Sequence, residues 1–337
     1  MKAAVIYQPR DIQIIEKEIP IPKENEVLIR IKACGVCGTD HSLYTGGFPA
    51  NFPVIIGHEF SGEVVAAGDD VKNLGIGERV TADPKRVCRR CEYCRMGKEH
   101  LCENLSSMGV HIDGADADYC VMVESNVYKI PNNVSFEAAA FTEPLACAVH
   151  GLEMGQVQPG DTVLVLGAGG MGNLLTQLCA LAGAADVIVS EPIALRREIA
   201  LENSATRVLD PINQDIDKEL RMIRPNGADV VFEAAGNLKV QAHSIYFARK
   251  GGNIVWFGCS PVDSKIEIDP YYINDSELSI RGSFNNPFAT ARAVRLLGSG
   301  KVRVDNLISH HIGIDDYLDV FKIFGGPDTL KLMVHME

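Results

Sequence analysis

Four cysteines fall in one short segment, "VCRRCEYCRMGKEHLC": Cys88, Cys91, Cys94 and Cys102, at intervals of three, three and eight. The short C-x-x-C steps let neighbouring sulfurs converge on one ion, and the longer step lets the loop close around it. Four thiolates with no spare position form the closed tetrahedral shell of a structural zinc. Arg89, Arg90, Arg95 and Lys98 flank the cluster and offset part of its negative charge. Disulfides are not expected, because the chain opens without the apolar core of a signal peptide, and ten cysteines in such a protein read as reduced thiols. No βαβ pattern surrounds Cys91 and Cys94, so a redox dithiol is not expected either. Upstream, "CGVCGTDHSLY" and "IIGHEFSGEV" offer a second donor set: the thiol of Cys37, the imidazole of His58 and the carboxylate of Glu59. Singly, each has a plain structural reading. Cys34 or Cys37 can be a small buried apolar residue, His58 a hydrogen-bonded core ring, and Glu59 the partner of a base.

A third motif binds phosphate rather than metal. "GAGGMG" places Gly167, Gly169 and Gly172 in a G-x-G-x-x-G pattern that also includes Gly170 and Met171. It lies between the strand-like "DTVLVL" and the helix-like "NLLTQLCALAGA". The first glycine allows the tight turn, the second admits a pyrophosphate to the backbone, and the third lets helix and strand pack closely. Glu191 ends the next strand, "ADVIVSE", where a carboxylate accepts from both ribose hydroxyls and repels a 2′-phosphate. NAD is therefore favoured over NADP. Arg196 and Arg197 follow; they are potential phosphate ligands but read first as a solvated helix face.

These groups need two kinds of scaffold. The first 140 or so residues are short strands broken by turns ("EVLIRIKACGV", "FSGEVVAAGDDV", "GIGERVTA"), a β-rich unit with the cysteine loop inserted at about 86–104. From "FTEPLACAVHGLEMG" the pattern turns helical and then alternates strand with helix through "RVLD", "ADVVFEAAG" and "GNIVWFG". Such alternation predicts a doubly wound parallel sheet, hence an α/β fold. "ELSIRGSF" is placed to close that sheet, and "ISHHIGID" and "LKLMVHME" read as β segments returning to the first unit. The expected domains are 1–144, 145–275 and 276–337. At 337 residues with 46% apolar content, the chain has enough material for two ordinary cores. A net charge of −12 argues against nucleic-acid binding and against an anionic membrane surface. No apolar run approaches a membrane span, so a cytoplasmic location is expected.

"CGVCGTD", "GHEFSGEV", the four-cysteine lobe, "GAGGMG" and "LKLMVH" stand in this order over nearly the whole chain. In this the chain resembles the zinc-dependent medium-chain dehydrogenases, most of all their sorbitol (polyol) dehydrogenase-like branch. The resemblance implies a GroES-like catalytic domain, a Rossmann domain, and between them a catalytic zinc held by Cys37 and His58. Glu59 takes the place of the third ligand, with Glu143 of "FTEPLACAVH" implied as a further ligand and catalytic residue. Cys147 is the rival ligand, which the match assigns to packing. The implied reaction is reversible oxidation of a polyol's secondary alcohol to the ketose, by hydride transfer from a zinc-bound alkoxide to NAD. Thr39 matches the residue that relays the proton.

Two places depart from the family pattern. A relay histidine common among relatives is replaced by Ser42, with His41 one position early, so the outer relay is His41, Ser42 or water. The family's substrate-holding Arg-Tyr pair is matched by Asn285 and Asn286 in "GSFNNPF", whose amides suit free hydroxyls; Tyr44 and Phe48 are further candidate pocket residues. L-threonine 3-dehydrogenase or polyol-phosphate dehydrogenase are the alternative activities, and a non-catalytic dinucleotide-binding protein is the alternative class. By analogy a homodimer or homotetramer is expected, joined through "NIVWFGCS" and "IEIDPYY".

Overall fold

The computed structural model describes Met1–Met336 and separates into two compact units. One comprises Met1–Ala146 together with the chain from Asn286 onward; the other is Cys147–Asn285.

The first unit is built around the strand Glu26–Gly35, whose sequence EVLIRIKACG is buried along most of its length. It pairs antiparallel with Glu59–Ala67, Tyr119–Val123 and Lys331–His335. The seven-stranded sheet extends through Arg79–Ala82 and Val127–Lys129 on one side and Ile308–Gly313 on the other. A three-stranded sheet of Asp11–Glu16, Lys2–Gln8 and Val54–Ile55 completes the unit. Ile29, Ile31, Phe60, Val80, Leu332 and Tyr317 fill its core. Each such side chain contributes roughly 1.5–3 kcal/mol by leaving water. Register does the positioning: Gly35 stands opposite Glu59 on one side and Met333 on the other. The end of the central strand, and Cys37 just beyond it, are thereby brought to both neighbours.

The second unit holds six parallel strands in the order Arg207–Leu209, Asp186–Ser190, Thr162–Leu166, Ala228–Glu233, Ala248–Trp256 and Ser279–Gly282. TVLVL and ADVVFE are buried throughout, as strands covered on both faces must be. The order reverses beside Thr162–Leu166, so the carboxyl ends of this strand and of Ala228–Glu233 flank the crevice where such sheets bind ligands.

Two expectations from the sequence change here. Ser279–Gly282 pairs with Ala248–Trp256, so the second unit runs to Asn285 rather than 275. The first boundary falls inside the helix Thr142–Gly155, after Ala146. "NIVW" is also not a sheet edge: hydrogen-bonded partners occupy both its sides, and "IEID" forms no strand. Edge-to-edge assembly through those two segments is therefore blocked; the edge belongs to Ser279–Gly282. Among the described residues, no helix is long and apolar enough to cross a membrane.

Candidate active site and nucleotide loop

Cys37 is the N-cap of the helix Gly38–Thr45, and its backbone N–H donates to Asp40 Oδ2 at 2.8 Å. Asp40 is fully buried, and its Oδ1 accepts from Gly57 N–H at 3.4 Å and lies 3.6 Å from His58 Nδ1. One carboxylate thus ties the loop carrying Cys37 to the loop carrying His58 through two backbone N–H groups and faces the ring at ion-pair distance. This is the arrangement that orients a metal-bound histidine. One ligand atom from each of Cys37, His58 and Glu59 lies within 4.8 Å of the others. The field at this point is anionic. Burial works against a charged His58, yet Asp40, the Cys37 thiol and Glu143 together hold its pKa well above the ordinary value. A half-buried thiol with a buried imidazole and carboxylate, under a field that demands positive charge, fit a zinc ion, with a coordination position left for a substrate.

Sequence reasoning missed the group that balances this field. Lys331 Nζ, itself buried, lies 2.6 Å from Glu59 Oε2 and also donates to the Val36 carbonyl at 3.2 Å. Burial lowers its pKa, but Glu59 and Cys37 more than compensate and keep the ammonium charged. Gly35 makes the room, since a Cβ there would stand 2.6 Å from Glu59 Oε2. The available signal was a lone lysine in the apolar strand "LKLMVH", because lysine is almost never fully buried unpaired. Glu143, expected as a further ligand, is not one of the three grouped donors, and neither is Cys147. Glu143 is buried at the start of the helix Thr142–Gly155, and its charge acts on both His58 and Lys331. Thr39 is the second residue of the helix that Cys37 caps, its Oγ1 3.7 Å from Cys37 Sγ.

In the second unit, Gly167 turns with φ of +105°, and Gly169 caps the helix Gly170–Leu181. A Cβ on Gly172 would stand 2.0 Å from the Gly167 carbonyl oxygen, whereas one on Gly169 would meet nothing within 4 Å. The close packing is therefore at the third glycine, and the open space a phosphate needs is at the second. Glu191 is buried beside this loop; its Oε2 accepts from Ala168 N–H at 2.8 Å and its Oε1 from Ile193 N–H at 3.0 Å. Each oxygen keeps a lone pair for a hydroxyl. Arg197 is not on a solvated face as expected. Its Nη1 donates to the carbonyls of Glu191 (2.7 Å) and Pro192 (2.8 Å), and its Nη2 lies 3.2 Å from Asp210. Glu233, passed over in the sequence, steadies the adjoining turn by accepting from Ala235 N–H at 2.9 Å.

Residues 23–132 match the alcohol dehydrogenase GroES-like domain, and residues 170–297 match the zinc-binding dehydrogenase domain. D-arabinitol dehydrogenase 1 of Uromyces fabae is 35% identical over 99% of this chain and 97% of its own length. The chain belongs to the zinc-dependent medium-chain dehydrogenases. Within them it is polyol dehydrogenase-like: sorbitol dehydrogenase of Bacillus subtilis is 32% identical over 99% of this chain and 97% of its own. L-threonine 3-dehydrogenase of Pyrococcus furiosus is 34% identical, covering 96% and 95%. A zinc-binding dehydrogenase from Sinorhizobium meliloti bound to NADP superimposes with a TM-score of 0.97 at 38% identity, covering 99% of this chain and 98% of its own.

In this dehydrogenase the four lobe cysteines also converge, with one sulfur from each of Cys88, Cys91, Cys94 and Cys102 within 4.8 Å of the others. Backbone N–H groups point at the sulfurs, from Cys91 to Cys88 and from Cys88 and Asn104 to Cys102, each at 3.3 Å. Backbone donation from Arg90 and Cys91 lowers the Cys88 pKa to about 6. Such a loop has little apolar core of its own, and its four converging thiols suit an ion that would staple it. Replacing Cys94 with Ser is expected to release one zinc per chain and expose the 87–102 segment to limited proteolysis. The rest of the fold should keep its circular dichroism. A loop equally protected with and without the substitution rules out metal as its staple.

The substrate-side candidates make contacts of their own within the first unit. Tyr44 stacks on Phe321 with ring centroids 3.9 Å apart, within the packing around the first unit's core. His41 stacks on Phe324 at 4.9 Å. Asn286 is fully buried and accepts from the buried Lys85 Nζ through both its backbone and side-chain oxygens. Stacking occupies one face of the Tyr44 ring, and Lys85 takes the oxygens of Asn286 while its amide nitrogen has no partner. Asn285, with φ of +57°, occupies a turn, and Phe48 is exposed.

Proposed function

We propose that the chain is an NAD-linked dehydrogenase that oxidises a secondary hydroxyl of a free polyol to the ketose, reversibly, with Cys37, His58 and Glu59 holding a catalytic zinc. The observation that carries this reading is the convergence of those three donors, backed by the buried Asp40 and next to the Thr39 hydroxyl. When bound, zinc supplies the Lewis acidity that makes an alcohol a far stronger acid. The chain does the rest. Asp40 holds the His58 ring, and Lys331 keeps Glu59 in place. Thr39 Oγ1 takes the hydroxyl proton and passes it outward. The Gly167–Gly172 turn and Glu191 seat the dinucleotide. The four lobe cysteines hold a second, structural zinc.

The polyol reading rests on the D-arabinitol and sorbitol dehydrogenases among the relatives. The test is cofactor reduction by zinc-replete enzyme across sorbitol, xylitol, the arabinitols, threonine, simple secondary alcohols and polyol phosphates. A free polyol should give the highest kcat/KM. Preference for threonine or a phosphorylated polyol overturns the substrate and leaves the chemistry intact, whereas no turnover at all supports the non-catalytic class.

The preference for NAD is carried by Glu191. Exchanging it for Gln removes the charge that a 2′-phosphate meets and keeps one carbonyl acceptor, for Ala168 or Ile193 but not for both. The ratio of kcat/KM for NAD to that for NADP is expected to fall by about 10–100-fold, because like-charge contacts at an interface cost up to several kcal/mol. An unchanged ratio, or a wild type that already prefers NADP, sinks the assignment.

A further inference from the structure

A third cluster of metal-type donors lies in the first unit, apart from both sites described above. Glu137 sits in the helix Phe136–Ala140, His311 in the strand Ile308–Gly313, and His335 ends the strand Lys331–His335. The two strands pair in parallel, His311 opposite Met333 and Gly313 opposite His335, so the two histidines are diagonal neighbours. Their rings stack with centroids 5.3 Å apart. Glu137 Oε1 lies 3.0 Å from His311 Nδ1 and 3.0 Å from His335 Nε2, and the two nitrogens are 3.1 Å apart.

Three donor atoms thus form a nearly equilateral triangle. Hydrogen bonds alone serve this shape poorly. An N–H aimed along one edge points some 60° away from the other, and if both nitrogens carry protons towards Glu137, the third edge brings two N–H groups together. A cation above the triangle uses all three lone pairs at once. With metal–ligand bonds of about 2.1 Å, adjacent ligands stand about 3.0 Å apart in octahedral and about 3.4 Å in tetrahedral geometry. The observed edges match the first figure. Two imidazoles and one carboxylate suit a borderline divalent transition metal rather than Ca²⁺ or Mg²⁺. The partial exposure of all three side chains (His311 57%, His335 37%, Glu137 34%) leaves the remaining positions to water.

The geometry points to a third metal site, in which Glu137, His311 and His335 bind a divalent transition-metal ion such as Zn²⁺. The ion ties the helix just before Glu143 to two C-terminal strands, one of which carries Lys331 at its other end. It is therefore a clamp on the scaffold of the active site, and it is independent of the proposed reaction.

The probe is Zn²⁺ itself. Full-length enzyme is dialysed against micromolar zinc chloride at pH 7.5, and bound metal is measured by mass spectrometry. Wild type is expected to hold one zinc per chain more than the His311→Ala/His335→Ala double variant, whatever the occupancy of the other sites. Added zinc should raise Tm in wild type by more than in the double variant. Glu137→Gln, which keeps both imidazoles, should lower the affinity of this last equivalent. His310→Ala, one residue outside the triangle, should leave the stoichiometry unchanged. Equal zinc content in wild type and the double variant overturns the site, and so does an equal loss on replacing His310.

Discussion

Exchanging Cys37 for Ser is expected to lower kcat/KM by about 10⁴-fold and to remove one zinc per chain, while the thermal unfolding of the protein stays close to wild type. The size follows from what a Lewis acid contributes to charge development, several kcal/mol, with each 1.36 kcal/mol worth a factor of ten. Serine separates this loss from misfolding. Cys37 is the N-cap of the helix Gly38–Thr45, and serine is among the preferred residues at that position. The Asp40 carboxylate still accepts from the backbone N–H of residue 37, because that contact does not involve the thiol. Zinc content by mass spectrometry and initial rates with the best polyol decide the matter. A variant that loses its zinc but keeps its rate would show that the reaction does not use this ion. One that keeps its zinc and loses its rate would place Cys37 in substrate binding rather than metal binding.

What could be read from the sequence was whatever depends on local spacing. The parallel sheet was readable because buried strands such as TVLVL and ADVVFE run as continuous apolar segments separated by amphipathic helices. The cysteine lobe and the glycine turn were readable because each completes its geometry within a few residues. Contacts assembled by sheet register were not. Lys331 meets Glu59 only because the strand Lys331–His335 pairs beside Gly35, and 272 positions separate the two residues. The Glu137–His311–His335 triangle escaped for the same reason: "SHHIG" and "VHME" look like ordinary strand ends until the parallel register sets them side by side. Tyr44 and Asn286 differ in another way. Their side-chain chemistry suited a polyol, but Phe321 and Lys85 are nearer claims on the same surfaces.

Lys331 carries the second large effect. Replacing it with Met keeps most of the buried volume and removes the charge, so Glu59 is left without its partner at 2.6 Å and the Val36 carbonyl without its donor. Breaking a buried pair from one side costs about 3–5 kcal/mol, because the surviving charge remains out of water. The Lys331→Met enzyme is therefore expected to lose about that much unfolding free energy, read in urea as a midpoint lowered by the loss divided by m, with m unchanged. Adding Glu59→Gln to Lys331→Met should recover part of the loss, since the orphaned charge is then gone. That recovery distinguishes a charge effect from a packing defect, for which the second substitution only adds damage. Lys331→Arg keeps a cation but forces a larger, planar head into a space that Gly35 opens for one carboxylate contact, so it should restore only part of the stability. The activity of the two Lys331 variants then reports the role of the lysine. Were Lys331 only a structural pair, Arg would return rate and stability in parallel. Because the ammonium also positions Glu59 among the metal donors, zinc affinity is expected to change in Lys331→Met even under conditions where the protein remains folded, read as a shifted midpoint in a chelator titration.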